Sequence, residues 1–583
     1  MMINMIKDLK LLSLPLQKQF ILSYFYSCIS SLLQLMASLI VLPFINLLIN
    51  QNQSVTTIGI LNWFSLNFFA LNLDNLVLLG ILVTLFQLAS SFSTAFSTYH
   101  NQKVIVAINH YFSLELLQFY TYQDLTYFHD KNMGEVTKSI LQDAQQISTG
   151  IFQSTLESMV SISLIVLFIA GLFFVNVNIT WILIGFLFMM LFLFMLLSKR
   201  KLKTLGMTSN IDNRLRTKYI SEILNNLRLF KSYRLESEII NRYEHVSNQY
   251  KERLQKSLFY TNMPRYMIEA FTFSSIILVT LTYFLLSGGF TNVIPILTVY
   301  LVAIFRILPS IYLLSVAINK LIFSQDIKEE IQLLFSTKKH NNMSTRSIEF
   351  KESIVFDSVY FKYNHRQNYA IKNANFEIKK GEYIGIYGHS GAGKSTLIDL
   401  ILKFISPVQG KIKLDAYDIE DYSRLEYLPL FAYVPQDTFI LDGTLIENIT
   451  FKSNNTQDEI DQVYSILKFI NLYDFVINEL PQGLNTPLGE KGVNLSGGQK
   501  QRISLARALY TNANILILDE ATNALDNKTE RMIFDLIYKL KDLDKTIIVI
   551  SHRLENLSQC SKIYTLSNGT VKVTEHLKAE VLK

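Results

Sequence analysis

The sequence has 583 residues, too many for one ordinary domain at roughly 150 residues each, and it is 50% apolar but only 17% charged, with a mean hydropathy of +0.24. Soluble domains carry about 25% charged residues, so disorder, a collagen-like repeat and a purely soluble enzyme are excluded. The formal charge is only +6, and Cys28 and Cys560 lie far apart, which excludes a disulfide framework and a cysteine zinc site.

In chain order, the first signal is where Lys and Arg are absent: from Gln19 to Gln102, from Ser139 to Ser198 and from Tyr266 to Phe305. A hydrocarbon core about 30 Å thick takes around 20 apolar helical residues. Each gap marks two such runs around a polar break, the last continuing past Arg306: Phe20 to Ile49 and Leu76 to Phe96, Met159 to Val175 and Ile179 to Leu197, Ala270 to Leu286 and Val293 to Ile318. This predicts three hairpins, six transmembrane helices in all. The hairpin tips lack Lys and Arg while the other connections hold them, so the positive-inside rule puts both termini in the cytoplasm. The first apolar run is too long for a cleaved signal peptide, and no clear small-x-small site follows it.

Before that run, Met5, Ile6, Leu9 and Leu12 fall at helical spacing opposite Lys7, Asp8 and Lys10, as in a helix lying in the interface. In the first external tip, Ile60, Trp63, Phe64 and Phe68 share one helical face, as in a small helix on the outer surface or a packed external loop. The cytoplasmic connections, about 99–158 and 199–264, are long, polar and poor in Pro and Gly. They predict helices that continue well beyond the bilayer.

Two arginines stand close to or within spans. Arg306 lies well inside the sixth, where a lipid-facing Arg costs about 2.5–3.5 kcal/mol on insertion scales. It is therefore expected to face an aqueous cavity, with Pro309 just after it expected to kink the helix. Arg265 begins the fifth span one turn before Glu269, as a snorkelling helix-end pair or a second cavity residue.

The expected domains are a membrane domain over 1–335, a polar linker over 336–347 and an α/β domain over 348–583, where strand and helix signals alternate. Strand-like Tyr383 to Tyr387 runs into Gly388, His389, Ser390, Gly391, Ala392, Gly393, Lys394, Ser395 and Thr396, then into an apolar helix. In such a loop the backbone N–H groups wrap phosphates, Lys394 reaches the outer phosphate oxygens, Ser395 holds Mg²⁺ and the helix N-terminus adds its dipole. The apolar strand Ile515 to Leu518 ends in Asp519 and Glu520. Asp519 suits Mg²⁺ coordination, and Glu520 is placed to take a proton from an attacking water. A further strand, Thr546 to Ile550, leads to Ser551 and His552, an imidazole expected at the γ-phosphate. Finally, Leu495, Ser496, Gly497, Gly498 and Gln499 open a helix with a second anion-binding N-terminus. Two phosphate-binding surfaces on one chain make sense if two copies face each other, each completing the other's site.

With these residues in view, the soluble half resembles the nucleotide-binding domain of ATP-binding-cassette proteins, whose signature is the stretch Leu495 to Gln499. The resemblance implies that Tyr363 stacks on adenine, that Gln436 links Mg²⁺ to the membrane half, that Glu520 and His552 are the catalytic pair, and that Thr486 to Gly492 senses the cytoplasmic helices. Asn523 stands where the family usually has Ser. Six spans ahead of one cassette resemble an exporter-type half-transporter over nearly the whole chain, which implies ATP and Mg²⁺ as cofactors, a homodimer in a bacterial inner membrane, and coupling helices near Tyr127 to Asp130 and Asn226 to Tyr233. Leu42 to Asn46, Met263 to Arg265 and Phe305 to Ser310 look like the flippase of lipid-linked oligosaccharides, although Gln87 and Leu313 occupy positions where that likeness leads one to expect basic residues. The expected cargo is then a polyprenyl-pyrophosphate-linked oligosaccharide held by Arg265 and Arg306, with a peptide or another lipid as the alternative. A nucleic-acid cassette ATPase leaves six spans unexplained, and Glu520 argues against a mere channel.

Overall fold

The computed structural model describes residues 9–49, 73–129, 131, 133–173, 177–287, 293–336, 348–363, 368–489, 492, 495–520, 527–540 and 545–574. The chain forms two compact units, Met1–Gln123 with Asp130–Lys338, and Asp124–His129 with Lys339–Lys583. The helices up to the second unit's cassette are α1 (Leu14–Ile49), α2 (Leu73–Thr121), α3 (Leu125–His129), α4 (Met133–Phe173), α5 (Val177–Asn225), α6 (Leu227–Ser232), α7 (Glu236–Ser287), α8 (Val293–Phe323) and α9 (Gln325–Ser336). All belong to the first unit except α3. The six predicted spans fall in α1, α2, α4, α5, α7 and α8, and α2, α5 and α7 run on far past their apolar stretches. Among the described residues four stretches are long and apolar enough to cross a membrane: Leu14–Ser38, Gly80–Thr121, Met133–Phe173 and Ala303–Phe323. Met5, Ile6 and the stretch from Ile60 to Phe68 lie outside the described residues, as do 337–347 and the side chains of Pro43, Pro264 and Arg265.

Along their apolar stretches, α1 and α2 meet through small polar side chains and expose large apolar ones. Phe25, Ile29 and Leu32 of α1 and Leu85, Leu88 and Phe92 of α2 are exposed, while Ser23, Ser27, Ser30 and Ser90 are buried. The buried hydroxyls bond across the pair: Ser27 with Ser97 at 2.8 Å, Ser30 with Thr94 at 2.9 Å, and Gln34 Nε2 to Thr94 Oγ1 at 2.9 Å. Hydrocarbon outside gives no drive to hide apolar side chains, so small polar residues hold such helices together. An apolar core does form between α4 and α8, from Leu164, Phe168 and Leu172 against Tyr300, Ile307 and Ile311. Pro309 lies inside α8, which continues as helix to Phe323.

Two wide π-helical turns, Ser139–Asp143 and Ser148–Gln153, interrupt α4. Lys138 and Asp143, at the ends of the first, form a buried ion pair at 2.6 Å. In the second, a Cβ on Gly150 would sit 2.1 Å from Ser324 Oγ, so only glycine allows the chain after α8 to pass this close. Farther along, Arg253 of α7 pairs with the buried Asp212 of α5 at 2.6 Å, and Arg214 of α5 with Glu330 of α9.

In the second unit, β1 (Ser353–Phe361), β2 (Ile371–Lys379), β4 (Gln409–Leu414) and β5 (Tyr417–Asp418) form an antiparallel sheet in the order β2-β1-β4-β5. The other sheet takes β3 (Tyr383–Tyr387), β6 (Phe431–Val434), β7 (Ile515–Asp519), β8 (Thr546–Ser551), β9 (Lys562–Ser567) and β10 (Thr570–Thr574) in the order β10-β9-β3-β8-β7-β6. It is parallel apart from β10. Its middle strands are near-continuous apolar runs, buried throughout in β7 and β8, as expected of parallel strands covered on both faces. The covering helices include α10 (Lys394–Ile401), α11 (Leu445–Thr450), α12 (Gln457–Phe469), α13 (Gly497–Tyr510) and α14 (Asn527–Lys539). Within this unit α3 is held by Arg424, which pairs with Asp124, and by Leu125 N–H donating to the Phe404 carbonyl at 3.4 Å.

Candidate functional site

In register, Tyr387 of β3 pairs with Ser551 of β8, and Asp519 of β7 with Ile550 of β8. The carboxyl ends of three adjacent strands thus stop together, where open parallel sheets bind ligands. From β3 the loop Gly388 to Gly393 enters α10, with Gly391 at φ +79° and Gly393 at φ +109°. A side chain at Gly393 would be strained by that angle and would also meet the Ala370 carbonyl at 2.9 Å. Lys394 Nζ donates to the Gly388 carbonyl at 2.7 Å and lies 3.5 Å from Glu520 Oε1. Thr396 Oγ1 and the Tyr363 hydroxyl are 3.1 Å apart, and the Tyr363 ring meets Phe361 edge-on.

Glu520, one residue beyond β7, takes φ +45°. Left-handed backbone at a non-glycine residue costs energy and marks functional positions. Its amide donates to the Ile550 carbonyl at 3.1 Å. Its carboxylate accepts from Gln436 Nε2 at 2.9 Å and lies 3.3 Å from His552 Nδ1. The neighbouring Asp519 is buried and accepts from the Tyr433 hydroxyl at 3.1 Å. Burial pushes the Asp519 carboxyl above its usual range, with Glu520 adding to the rise and Tyr433 and Lys394 opposing it. Burial, then the charge of Asp519, pushes the Tyr433 phenol up as well, so it stays a proton donor.

Thus Lys394, Gln436, Glu520 and His552 are brought together, with Asp519 beside them. Asp519 is a buried carboxylate whose hydrogen bond comes from a neutral phenol. Ser395, Gln436 and Asp519 offer the hard oxygen donors Mg²⁺ takes, and these residues fit such an ion. Ser496 and Gln499 instead engage each other at the start of α13: Gln499 N–H donates to Ser496 Oγ at 3.2 Å and Ser496 N–H to Gln499 Oε1 at 2.8 Å. With both side chains tied into a capping box, Gly497 and Gly498 leave the helix N-terminus open. Arg507 of α13 donates to the carbonyls of Phe439 and Asn448, holding the segment that follows Gln436 against this helix. Asn523 lies outside the described residues, and so do Glu490 and Lys491.

The first unit has a cavity of about 950 Å³ beside α1, α2, α4 and α8. Hydroxyl and amide residues, among them Ser30, Thr94, Asn101 and Gln102, line it together with apolar ones such as Ile105, Leu156 and Leu164; among the described residues its charged groups are Arg306 and Glu157. Arg306 donates to Gln87 Oε1 at 3.0 Å, and Leu313 also lines the wall.

A phosphate loop, a carboxylate pair at the end of another strand of the same sheet and long apolar helices define a P-loop ATPase joined to a membrane domain. Comparison with known families agrees: residues 20–324 match the ABC transporter transmembrane region and 371–523 the ABC transporter family. The chain belongs to the ABC transporters, and its second unit is their ATP-hydrolysing cassette. A putative multidrug export ATP-binding/permease protein of Staphylococcus aureus (strain NCTC 8325) is 40% identical over 235 residues, 40% of each chain. A putative export ATP-binding/permease protein of Rickettsia bellii (strain RML369-C) is 41% identical over 247 residues, 42% of each. The match therefore spans about two fifths of these relatives. A solved bacterial Atm1-family ABC exporter with ATP bound shares the fold, with a TM-score of 0.78 over 96% of this chain and 94% of that one at 21% identity.

Two groups escaped the sequence reading. Tyr433 stands three residues before Gln436 on a strand, and the alternation of β6 was the available signal. Glu157 stands just before the third apolar run, where a lone acid beside a span was the clue.

Proposed function

We propose that two copies of this chain form an ATP-driven exporter in a bacterial inner membrane, with the cassettes in the cytoplasm. The observation that carries this reading is the meeting of Lys394, Gln436, Glu520 and His552 at the carboxyl edge of a parallel sheet, in a chain that also has a membrane region. Residues 388–396 bind the phosphates and Tyr363 the adenine. Ser395, Gln436 and Asp519 hold Mg²⁺, which when bound neutralises phosphate charge. Glu520 takes the proton of the attacking water, and His552, bonded to Glu520, contacts the γ-phosphate. Ser496 to Gln499 of the second copy close over the same nucleotide, and α3 and α6 carry that closure to the membrane helices.

The cargo is an amphipathic molecule whose polar part enters the hydroxyl-lined cavity. A polyprenyl-pyrophosphate-linked oligosaccharide is the reading supported by Arg306 and the lining hydroxyls. Export of a peptide or another amphipath is the second reading, favoured by Glu157 in the same cavity and by the names of the relatives. The test is reconstitution in liposomes: ATP-dependent movement of a labelled amphipath, lost in Glu520→Gln, is expected. ATP hydrolysis without movement of any amphipath overturns the exporter reading.

A further inference from the structure

Charges in the first unit are paired with opposite charges at Lys138 and Asp143, at Arg253 and Asp212, and at Arg214 and Glu330. The cavity is different. Arg306 donates to the neutral amide of Gln87, and Glu157 accepts from the neutral amide of Gln153 at 2.7 Å. Among the described residues neither has an opposite charge. Each is held in position by a neutral amide, in a wall that mixes hydroxyl and apolar side chains. An uncompensated charge at membrane depth is costly and marks a substrate or ion path; Arg306 is such a charge, and Glu157 stands at the edge of the third apolar run. Two opposite charges that avoid each other along one cavity point to a ligand that brings both counter-charges.

We propose that this cavity binds the polar part of a zwitterionic amphipath, its anionic group at Arg306 and its cationic group at Glu157. The inference rests on the exporter reading and narrows its cargo: a pyrophosphate alone satisfies Arg306 but sets further negative charge beside Glu157. A charge-assisted hydrogen bond contributes enough to discriminate by about tenfold, so selectivity between head groups is the quantity to read. Gln87 and Gln153 act as positioning residues, orienting the two charges without cancelling them.

The test uses the full-length protein in nanodiscs with single-chain amphiphiles sharing a dodecyl tail: dodecylphosphocholine, dodecyltrimethylammonium and dodecyl phosphate, all below micellar concentration. Half-maximal stimulation of ATP hydrolysis, and competition binding in Glu520→Gln, are expected at about tenfold lower concentration for the zwitterion than for either relative, each of which carries charge of one sign only. Arg306→Gln should remove the advantage over the cation and Glu157→Gln the advantage over the anion. Arg306→Lys and Glu157→Asp should retain it, which separates charge from folding. Presenting the same head group on a two-chain lipid in the bilayer, or on a short-chain solute in water, identifies the source. Equal or better response to dodecyl phosphate or farnesyl pyrophosphate in the wild-type protein overturns the proposal, as does no binding of any amphiphile. Movement of an amphipath without this ranking sinks the zwitterion and leaves the exporter standing; the ranking without movement does the reverse.

Discussion

The two units handle charge and polarity in opposite ways. In the cassette, apolar side chains fill the interior and the polar groups of the site close on one another: Lys394, Glu520 and His552 form a chain of contacts within 3.5 Å. In the membrane unit, α1 and α2 hide hydroxyls and expose Phe and Leu, while the cavity charges rest on glutamines. The difference follows from solvent. Water makes apolar burial the main source of cassette stability, whereas hydrocarbon offers no such gain and leaves hydrogen bonds and close packing to hold helices. A site that performs chemistry needs its groups preorganised, whereas the cavity charges, each on a neutral amide, stay available.

Experiments that break this contrast follow from it. The largest effect is expected at Glu520: replacement by Gln should lower ATP hydrolysis by about 10²–10⁴-fold with nucleotide binding retained, read by phosphate release and by binding of a fluorescent ATP analogue. Next, Ile548→Ala in β8, fully buried, should cost about 2–5 kcal/mol of cassette stability in denaturant unfolding. Tyr433→Phe removes a hydrogen bond to a carboxylate, worth about 1.5–3 kcal/mol. It should weaken Mg²⁺-dependent nucleotide binding by about tenfold or more while binding without Mg²⁺ stays near wild type; equal loss in both conditions would show that Tyr433 serves packing alone. The smallest effect is expected for Ser30→Ala, about 0.6 kcal/mol as for other membrane hydroxyl bonds, in a thermal unfolding series in nanodiscs. Should Ser30→Ala cost as much as Ile548→Ala, the contrast between the units is wrong.

Much of this was legible in the sequence because one physical rule set each feature. The spans follow from missing Lys and Arg, and the phosphate loop from glycines between a strand and a helix. Less legible were contacts joining distant segments. Gln87 looks like a mere departure from an expected basic residue until Arg306, 219 positions later, is seen donating to it. The positive φ of Glu520 depends on the strand pairing that fixes its amide on Ile550. Nor does periodicity reveal the wide turns of α4, since Ser, Gln and Gly there are compatible with an ordinary helix.

Those wide turns determine which way the rest of α4 faces. A π turn amounts to one residue inserted into an α-helix, and one residue is about 100° of rotation. The second ends at Gln153, the residue that holds Glu157 one turn later. The azimuth of Glu157 is therefore written in the length of the preceding segment. Deleting one residue between Ser148 and Gln153 would swing the acid, with every wall residue beyond it, about a quarter turn out of the cavity while leaving the composition of the span almost unchanged.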